Sequence, residues 1–279
     1  MKAVSKWAGR PVAPMLLLVV VLLAPGLAGA QNDLSTLEIT GASLDTSFER
    51  QAAWGWWQPD KYDVWSAAAE DSFDLADLRL LIPGGEYSMF IAAELYPDFS
   101  GAGTRYDGQG EVEADHRLTG EIQVYDLALA QSFHYRGGDH VRPWLGLTHM
   151  QIGERVHSLL HPELEPDRAD SKLWGAVLGV DVELALPYDL VLSSRLMARW
   201  ATGDRDESFI PETSYGLPDA TRVKASDSVN RGMWGAELGL RWQGIQQLGL
   251  EAGYRYRDWS YDDGPASFDG PYLRLIFKL

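Results

Sequence analysis

The strongest constraint in this chain is a period of two. Apolar and polar side chains alternate over stretches of about ten to thirteen residues, the pattern of β-strands whose two faces meet different surroundings. From Trp174 to Leu186 one face carries Trp174, Ala176, Leu178, Val180, Val182, Leu184 and Leu186, and the other Gly175, Val177, Gly179, Asp181, Glu183 and Ala185. Leu190, Leu192, Leu196, Ala198 and Trp200 oppose Ser193, Arg195 and Arg199 in the next stretch. The pattern returns with Trp234 to Trp242 against Glu237 and Arg241, with Leu248 to Tyr256 against Glu251, Arg255 and Arg257, and with Leu273 to Leu279 against Tyr272, Arg274 and Lys278.

The same alternation serves a soluble sandwich and a membrane barrel, with opposite meanings. Three features favour the barrel. The strands are about twice the ~5–6 residues usual in soluble sheets. Trp174, Trp200, Trp234, Trp242 and Tyr256 stand near the ends of apolar faces, where an interfacial girdle belongs. Tight connections (83–85, 136–139, 187–189, 243–247) alternate with polar stretches at about 97–116, 158–171, 202–231 and 261–268, read here as outer loops. This rhythm predicts nine strands from residue 72 onward, near 72–83, 86–96, 118–135, 141–156, 172–186, 190–201, 233–243, 248–260 and 269–279. An even count is needed for closure, so one more is expected within 34–71, from Leu37–Leu44 or Ala52–Trp57. The expected fold is an all-β, antiparallel, transmembrane outer-membrane β-barrel of about ten strands, with eight and twelve the neighbouring even counts.

The N-terminus agrees. Lys2, Lys6 and Arg10 precede an apolar run from Met15 to Ala24, and Leu27-Ala-Gly-Ala30 supplies the small residues of a peptidase site. Residues 1–30 are therefore expected to be a cleaved secretory signal, and 31–279 a single barrel domain with long acidic extracellular loops. The run is too short to span a bilayer. Zero cysteines exclude disulfides, thiol nucleophiles and Cys-ligated metals. A formal charge of −16 excludes a basic nucleic-acid surface, and a mean hydropathy of −0.20 is what alternation produces when half of each strand is polar.

Inward positions carry the candidate chemistry. Asp77, Glu94, Asp126, Asp181, Glu183, Glu237 and Glu251 face Arg79, Arg142, Arg195, Arg199, Arg241, Arg255, Arg257, Arg274 and Lys278. Such groups either pair across a filled interior or line a pore and tune its selectivity. Eight strands give a filled interior and about sixteen an open channel, so ten leaves both readings standing. Trp54, Trp56 and Trp57 form an aromatic concentration outside the girdle, either an interfacial anchor or a ligand platform. His157 and His161 lie beside Pro162, and the acidic runs lack calcium-loop spacing, so neither metal nor cofactor is expected.

The final strand, Gly270-Pro-Tyr-Leu-Arg-Leu-Ile-Phe-Lys-Leu279, resembles the assembly signal of outer-membrane barrels, ending on Leu279 where an aromatic is usual. That likeness implies the barrel-assembly machinery as a partner, alongside outer-membrane lipid and lipopolysaccharide. Val124-Tyr-Asp-Leu-Ala-Leu-Ala130, Arg142-Pro-Trp-Leu-Gly-Leu147, Ala236-Glu-Leu-Gly-Leu-Arg-Trp242 and Phe268-Asp-Gly-Pro271 resemble barrels of the Legionella major outer-membrane protein type. The resemblance implies a Gram-negative-type outer membrane and a porin-like, channel-forming role for small solutes or ions. The alternative is a closed structural or ligand- and glycan-binding barrel without conductance. Ten strands is also the count of omptin surface proteases, which use paired aspartates and an Asp–His pair at the rim. Asp204-Arg-Asp206, Asp262-Asp263, Asp115-His116 and Asp139-His140 are the candidates for that role. No omptin motif surrounds Asp115-His116, and Asp139-His140 falls in an expected periplasmic turn, so the chain is expected not to be an enzyme.

Overall fold

A computed structural model of the chain describes residues 35–52, 62–68, 73–84, 87–96, 99–106, 112–135, 138–158, 165–209, 222–245, 247–261 and 264–279. The described strands are β1 (Thr36–Ser43), β2 (Asp45–Ala52), β3 (Tyr62–Ala68), β4 (Phe73–Gly84), β5 (Tyr87–Leu95), β6 (Phe99–Tyr106) and β7 (Val112–Gln131). They continue as β8 (Phe133–His134), β9 (His140–Ser158), β10 (Asp167–Leu186), β11 (Leu190–Phe209), β12 (Val223–Ile245), β13 (Leu248–Tyr261) and β14 (Gly264–Lys278). The proposed signal, residues 1–30, lies outside the described residues.

Every pairing is antiparallel. At the end with the short turns the ring runs β1-β4-β5-β7-β9-β10-β11-β12-β13-β14 and closes from β14 back to β1, ten strands around among the described residues. At the other end β2, β3 and β6 fill the arc between β14 and β7. Thus β1 with β2, β3 with β4, and β5 with β6 each act as one interrupted wall strand. Closure leaves no sheet edge, which a bilayer demands because hydrocarbon offers no partner to a free N–H or C=O. The turn after β10 is tight: Tyr188 and Asp189 take φ of 67° and 57°, the left-handed pair that matches the twist of a two-stranded hairpin. The expected first strand, Leu37–Leu44, corresponds to β1, whereas Trp54, Trp56 and Trp57 lie outside the described residues.

The expected bounds of all four outer loops are corrected. Residues 202–209 and 223–231, expected in an outer loop, continue β11 and β12, and 167–171 belong to β10. Residues 99–106 and 112–116 are likewise strand, as are 264–268. The physical cause is a change of medium along each strand. In β10, Trp174, Ala176 and Leu178 are exposed while Val177 and Asp181 are buried. Beyond Trp174 the outward residues become Lys172, Asp170 and Arg168, and the inward ones Leu173, Ser171 and Ala169. In β7 the phase inverts at the same level: Leu127 and Leu129 face out below it, and Ile122 and Val124 face in above it. Below the aromatic girdle apolar side chains face lipid; above it they face inward, as in a soluble barrel. Hydropathy therefore loses its membrane signature there while pairing continues.

Strands of about 20 residues at ~3.3 Å per residue and ~40° tilt rise roughly 50 Å, about twice the ~25 Å apolar band of such barrels. Short turns face the periplasm in these folds, so the added height stands outside the cell. At the outer rim Arg222 ties three strands together, donating to the Ser208 Oγ and carbonyl, to the carbonyls of Glu165 and Pro166, and to Asp167 Oδ1.

Because the chain lacks cysteine, single-cysteine labelling tests this division. Asp204→Cys and Asp206→Cys are expected to react with a membrane-impermeant thiol reagent on intact cells, and Leu196→Cys and Leu238→Cys to stay unlabelled. Protection at 204 and 206 would place the girdle at the wrong height.

Candidate functional site: a neutral charge network under an apolar layer

The inward face below the girdle is built from charge. Among the described residues it holds eight carboxylates (Glu38, Asp77, Glu94, Asp126, Asp181, Glu183, Glu237, Glu251) and eight arginines (Arg79, Arg142, Arg195, Arg199, Arg241, Arg255, Arg257, Arg274), each in at least one ion pair. The network is formally neutral. Every one of these side chains is buried or nearly so, Glu183 being the most open at 18%.

Glu237 is the hub. Its Oε1 accepts from Arg257 Nη2 at 2.5 Å and lies 3.0 Å from Arg255 Nη2, and its Oε2 accepts from Arg274 Nη2 at 2.5 Å and Arg195 Nη1 at 3.4 Å. Toward the outer side, Arg199 donates from Nη2 and Nε to Asp126 and from Nη1 to Glu94 at 2.7 Å. Arg257 Nε donates to Glu94 Oε1 at 2.7 Å, and Arg255 is bonded to Asp77. Toward the periplasmic side, Asp181 accepts from Arg79 (2.9 Å), Arg195 (3.0 Å) and the Trp144 indole (3.2 Å). Glu251 binds Arg274, Arg241 and the Tyr272 hydroxyl, and Glu183 joins Arg241 to His140.

Small residues on neighbouring strands make room for the large ones. Arg257 lies over its cross-strand partner Gly235, where a Cβ would come within 2.7 Å of the Arg257 side chain. Trope-like repetition of this device is seen at Gly179, which sits beneath Trp144, its partner on β9, with a Cβ position 2.3 Å from the indole. Alternation of small and large inward residues is how narrow barrels are filled.

Above the charges lies a buried apolar layer of Ile122, Val124, Met150, Leu173, Met233, Trp259 and Phe268. Tyr96 packs against Trp259 and Phe268 with ring centroids 5.5 and 4.8 Å away, and its hydroxyl meets Met233 Sδ at 3.4 Å. Arg199 Nη1 touches the same sulfur from below at 3.2 Å, so the two layers are in contact. Gaps in the network measure about 10 Å³ beside Arg241 and Tyr272 and about 30 Å³ beside Arg79, Phe90 and Met197, space for about one or two water molecules.

The eleven residues singled out from sequence as lumen-lining (Asp126, Asp181, Glu183, Arg195, Arg199, Glu237, Arg241, Glu251, Arg255, Arg257, Arg274) all enter this one network. Two inward assignments change. Lys278 is exposed at the rim, because β14 ends there, and Glu38, overlooked, joins Arg195 at 2.9 Å. The signal for Glu38 was present in Leu37-Glu-Ile-Thr40, whose alternation puts Glu38 and Thr40 on the buried face. The apolar layer was missed because its residues carry the same period with inverted phase. Asp204 and Asp206 are exposed on the outer wall, and His140 sits at the periplasmic end. Asp262 and Asp263 lie outside the described residues. No three His, Asp or Glu among the described residues converge to hold a metal ion.

No protein-family model and no curated protein sequence matches the chain. Among solved structures it is similar to the outer membrane protease OmpT from Escherichia coli, at 8% identity and a TM-score of 0.59, over 89% of this chain and 98% of that one. It also matches the transport unit of the Escherichia coli autotransporter AIDA-I (11% identity, TM-score 0.41, 94% and 97% covered) and OprG from Pseudomonas aeruginosa (9%, 0.38, 87% and 96%). The likeness is one of fold. Together with the apolar belt and the closed ring it defines the chain as an outer-membrane β-barrel. The finer likeness to the Legionella major outer-membrane protein type has no match behind it.

Removing one partner from a buried pair leaves uncompensated charge and costs about 3–5 kcal/mol. Glu237→Gln, which strips charge from four arginines at once, is expected to fall in that range in detergent unfolding, whereas the exposed Asp204→Asn should stay within about 0.5 kcal/mol. Comparable midpoints for the two variants would show that the network does not brace the barrel.

Proposed function

We propose that the protein is a closed, non-conducting outer-membrane barrel that acts through its outer end. The observation that supports this reading is the filling of the described interior by two layers, a neutral ion-pair network and an apolar layer in contact with it. A pore that selects ions needs an unmatched ring of charge facing water. Among the described residues each arginine of this network is matched by a carboxylate, and the two gaps beside it are water-sized. The wall standing above the girdle, with a polar outer face and an inner face that buries apolar side chains together with the Glu154–Arg205–Glu207 ion pairs, supports a platform for outer loops. Structural support, or binding of a ligand or glycan at that end, with Trp54, Trp56 and Trp57 as candidates for the contact, fits this design. The reading assigns no catalysis: the paired aspartates Asp204 and Asp206 point away from the lumen, and His140 is engaged with Glu183 at the opposite end.

The porin-like role implied by the Legionella-type resemblance makes the opposite forecast. Purified protein in planar bilayers at high salt is expected to give no resolved channel openings across the tested voltages. Reproducible steps whose ion selectivity shifts on Arg195→Ala or Arg199→Ala would establish the pore instead.

A further inference from the structure

Through the height that faces lipid the ring has no edge, but above it the wall is uneven. β13 ends at Tyr261, which pairs with Gly264 at the start of β14, and the outermost residue of β12 paired to β13 is Gly232, opposite Ser260. β12 nevertheless continues outward to Val223, paired throughout with β11. Residues 223–231 therefore form a sheet edge, with no strand on their second side among the described residues.

The direction of the backbone groups along this edge follows from the register. Gln243 N donates to Asp189 O on the β11 side, and from the adjoining pair Leu190–Trp242 the β11–β12 register runs outward to Phe209–Val223 without a shift. In an antiparallel ladder alternate residues turn both N–H and C=O to the same neighbour. Odd-numbered residues of β12 therefore bind β11, and even-numbered ones point the other way. Gly232 O, which accepts from Ser260 Oγ on β13, agrees. Lys224, Ser226, Ser228 and Asn230 thus present N–H and C=O at the free edge. Among the described residues only Asn230 O has a partner there, the neighbouring Arg231 guanidinium.

The edge stands in water. Its outward side chains Lys224, Ser226, Ser228 and Asn230 are polar and exposed, and at ~3.3 Å per residue and ~40° tilt they rise about 10 to 25 Å above Trp234. The stretch holds no proline and no bulge, two devices that blunt an edge. A third device, charge, is present and is selective: Asp227 is exposed on the inward row and Lys224 on the outward row. Two copies paired antiparallel about the centre of the edge would set Asp227 against Asp227, and like charges directly opposite weaken a strand pair. An extended chain with a base opposite Asp227 and an acid opposite Lys224 gains at both places. We propose that residues 223–231 receive an extended segment of a partner protein as an added antiparallel strand. Main-chain hydrogen bonds to Lys224, Ser226, Ser228 and Asn230 hold it, and the two charges select it. The site rests on the reading that the outer end is the working end, and not on the state of the lumen, so a conducting barrel would leave it intact.

The probe is the capped heptapeptide Thr-Val-Thr-Lys-Thr-Val-Glu, which in antiparallel register sets its lysine against Asp227 and its glutamate against Lys224. Fluorescence anisotropy with full-length protein in detergent reads its binding. Saturable binding is expected, at least fivefold weaker for the peptide with lysine and glutamate exchanged, and the order is expected to reverse on Lys224→Glu/Asp227→Lys. N-methylation of the two threonines flanking the lysine, whose N–H groups face Ser228 and Ser226, is expected to cost at least tenfold. N-methylation of the two valines, whose N–H groups face away, should cost less than twofold. Ser226→Pro, which removes one free N–H and leaves the bonds to β11 in place, should weaken binding at least fivefold with an unchanged unfolding midpoint. Absence of saturable binding, equal affinity for the two charge patterns, or equal tolerance of N-methylation at both pairs of sites overturns the proposal. A dimer in detergent that the peptide merely dissociates would give the edge to a second copy and overturn it as well.

Discussion

The wall of this barrel meets hydrocarbon over part of its height and water over the rest, and the remaining features follow from that boundary. Backbone groups must be satisfied inside the ring wherever lipid surrounds it, so the strands close without an edge. Outward side chains must suit whichever medium they touch. Once the outward face is apolar, the inward face is free to be polar; once it is polar, the apolar burial that stabilises any fold has to move inside. The inversion at the level of Tyr125, Trp174 and Trp234 is that exchange, made within single continuous strands.

Below the boundary, polarity inside comes at a cost that pairing has to offset. Desolvating an ion is expensive by several kcal/mol even after relaxation. Sixteen such groups are tolerable here because every one has a partner, and because arginine offers several donors in a fixed fork. Glu237 and Glu94 each bind more than two guanidiniums, while Asp181 also takes the Trp144 indole, so the carboxylate oxygens are shared across non-adjacent strands. Since the described interior charges cancel, the chain's excess of acid lies outside this network, which narrows the meaning of its low isoelectric point.

The legibility of the fold followed the same boundary. From β10 to β14 the alternation of leucines with charged residues placed both faces, including ten of the eleven singled-out lumen residues, with Asp126 on β7 the eleventh. It faltered where the medium changed. Residues such as Asp204, Asp206 and Ser226 resemble loop sequence because both solvent-facing strand and loop are polar. Ile122, Val124 and Met150 keep the period with reversed sense, which a search for outward apolar residues passes over. Cross-strand partnership, such as Arg257 over Gly235, is invisible in one sequence because register is a property of two strands.

The height of the wall has a consequence for biogenesis. The outer halves of the strands carry Arg155, Arg168, Lys172, Asp170, Asp204 and Asp206 on their outward faces, and to reach their final position they have to traverse the hydrocarbon first. Each exposed Arg or Lys at the bilayer midplane costs about 2–4 kcal/mol, with acids less. A ring of them forms a kinetic barrier that the native state, with those charges in water, no longer feels. Insertion from the periplasmic side is therefore slow on its own, and reversal equally so. The same residues that oppose entry hold the finished barrel in one orientation, as a ratchet holds a shaft.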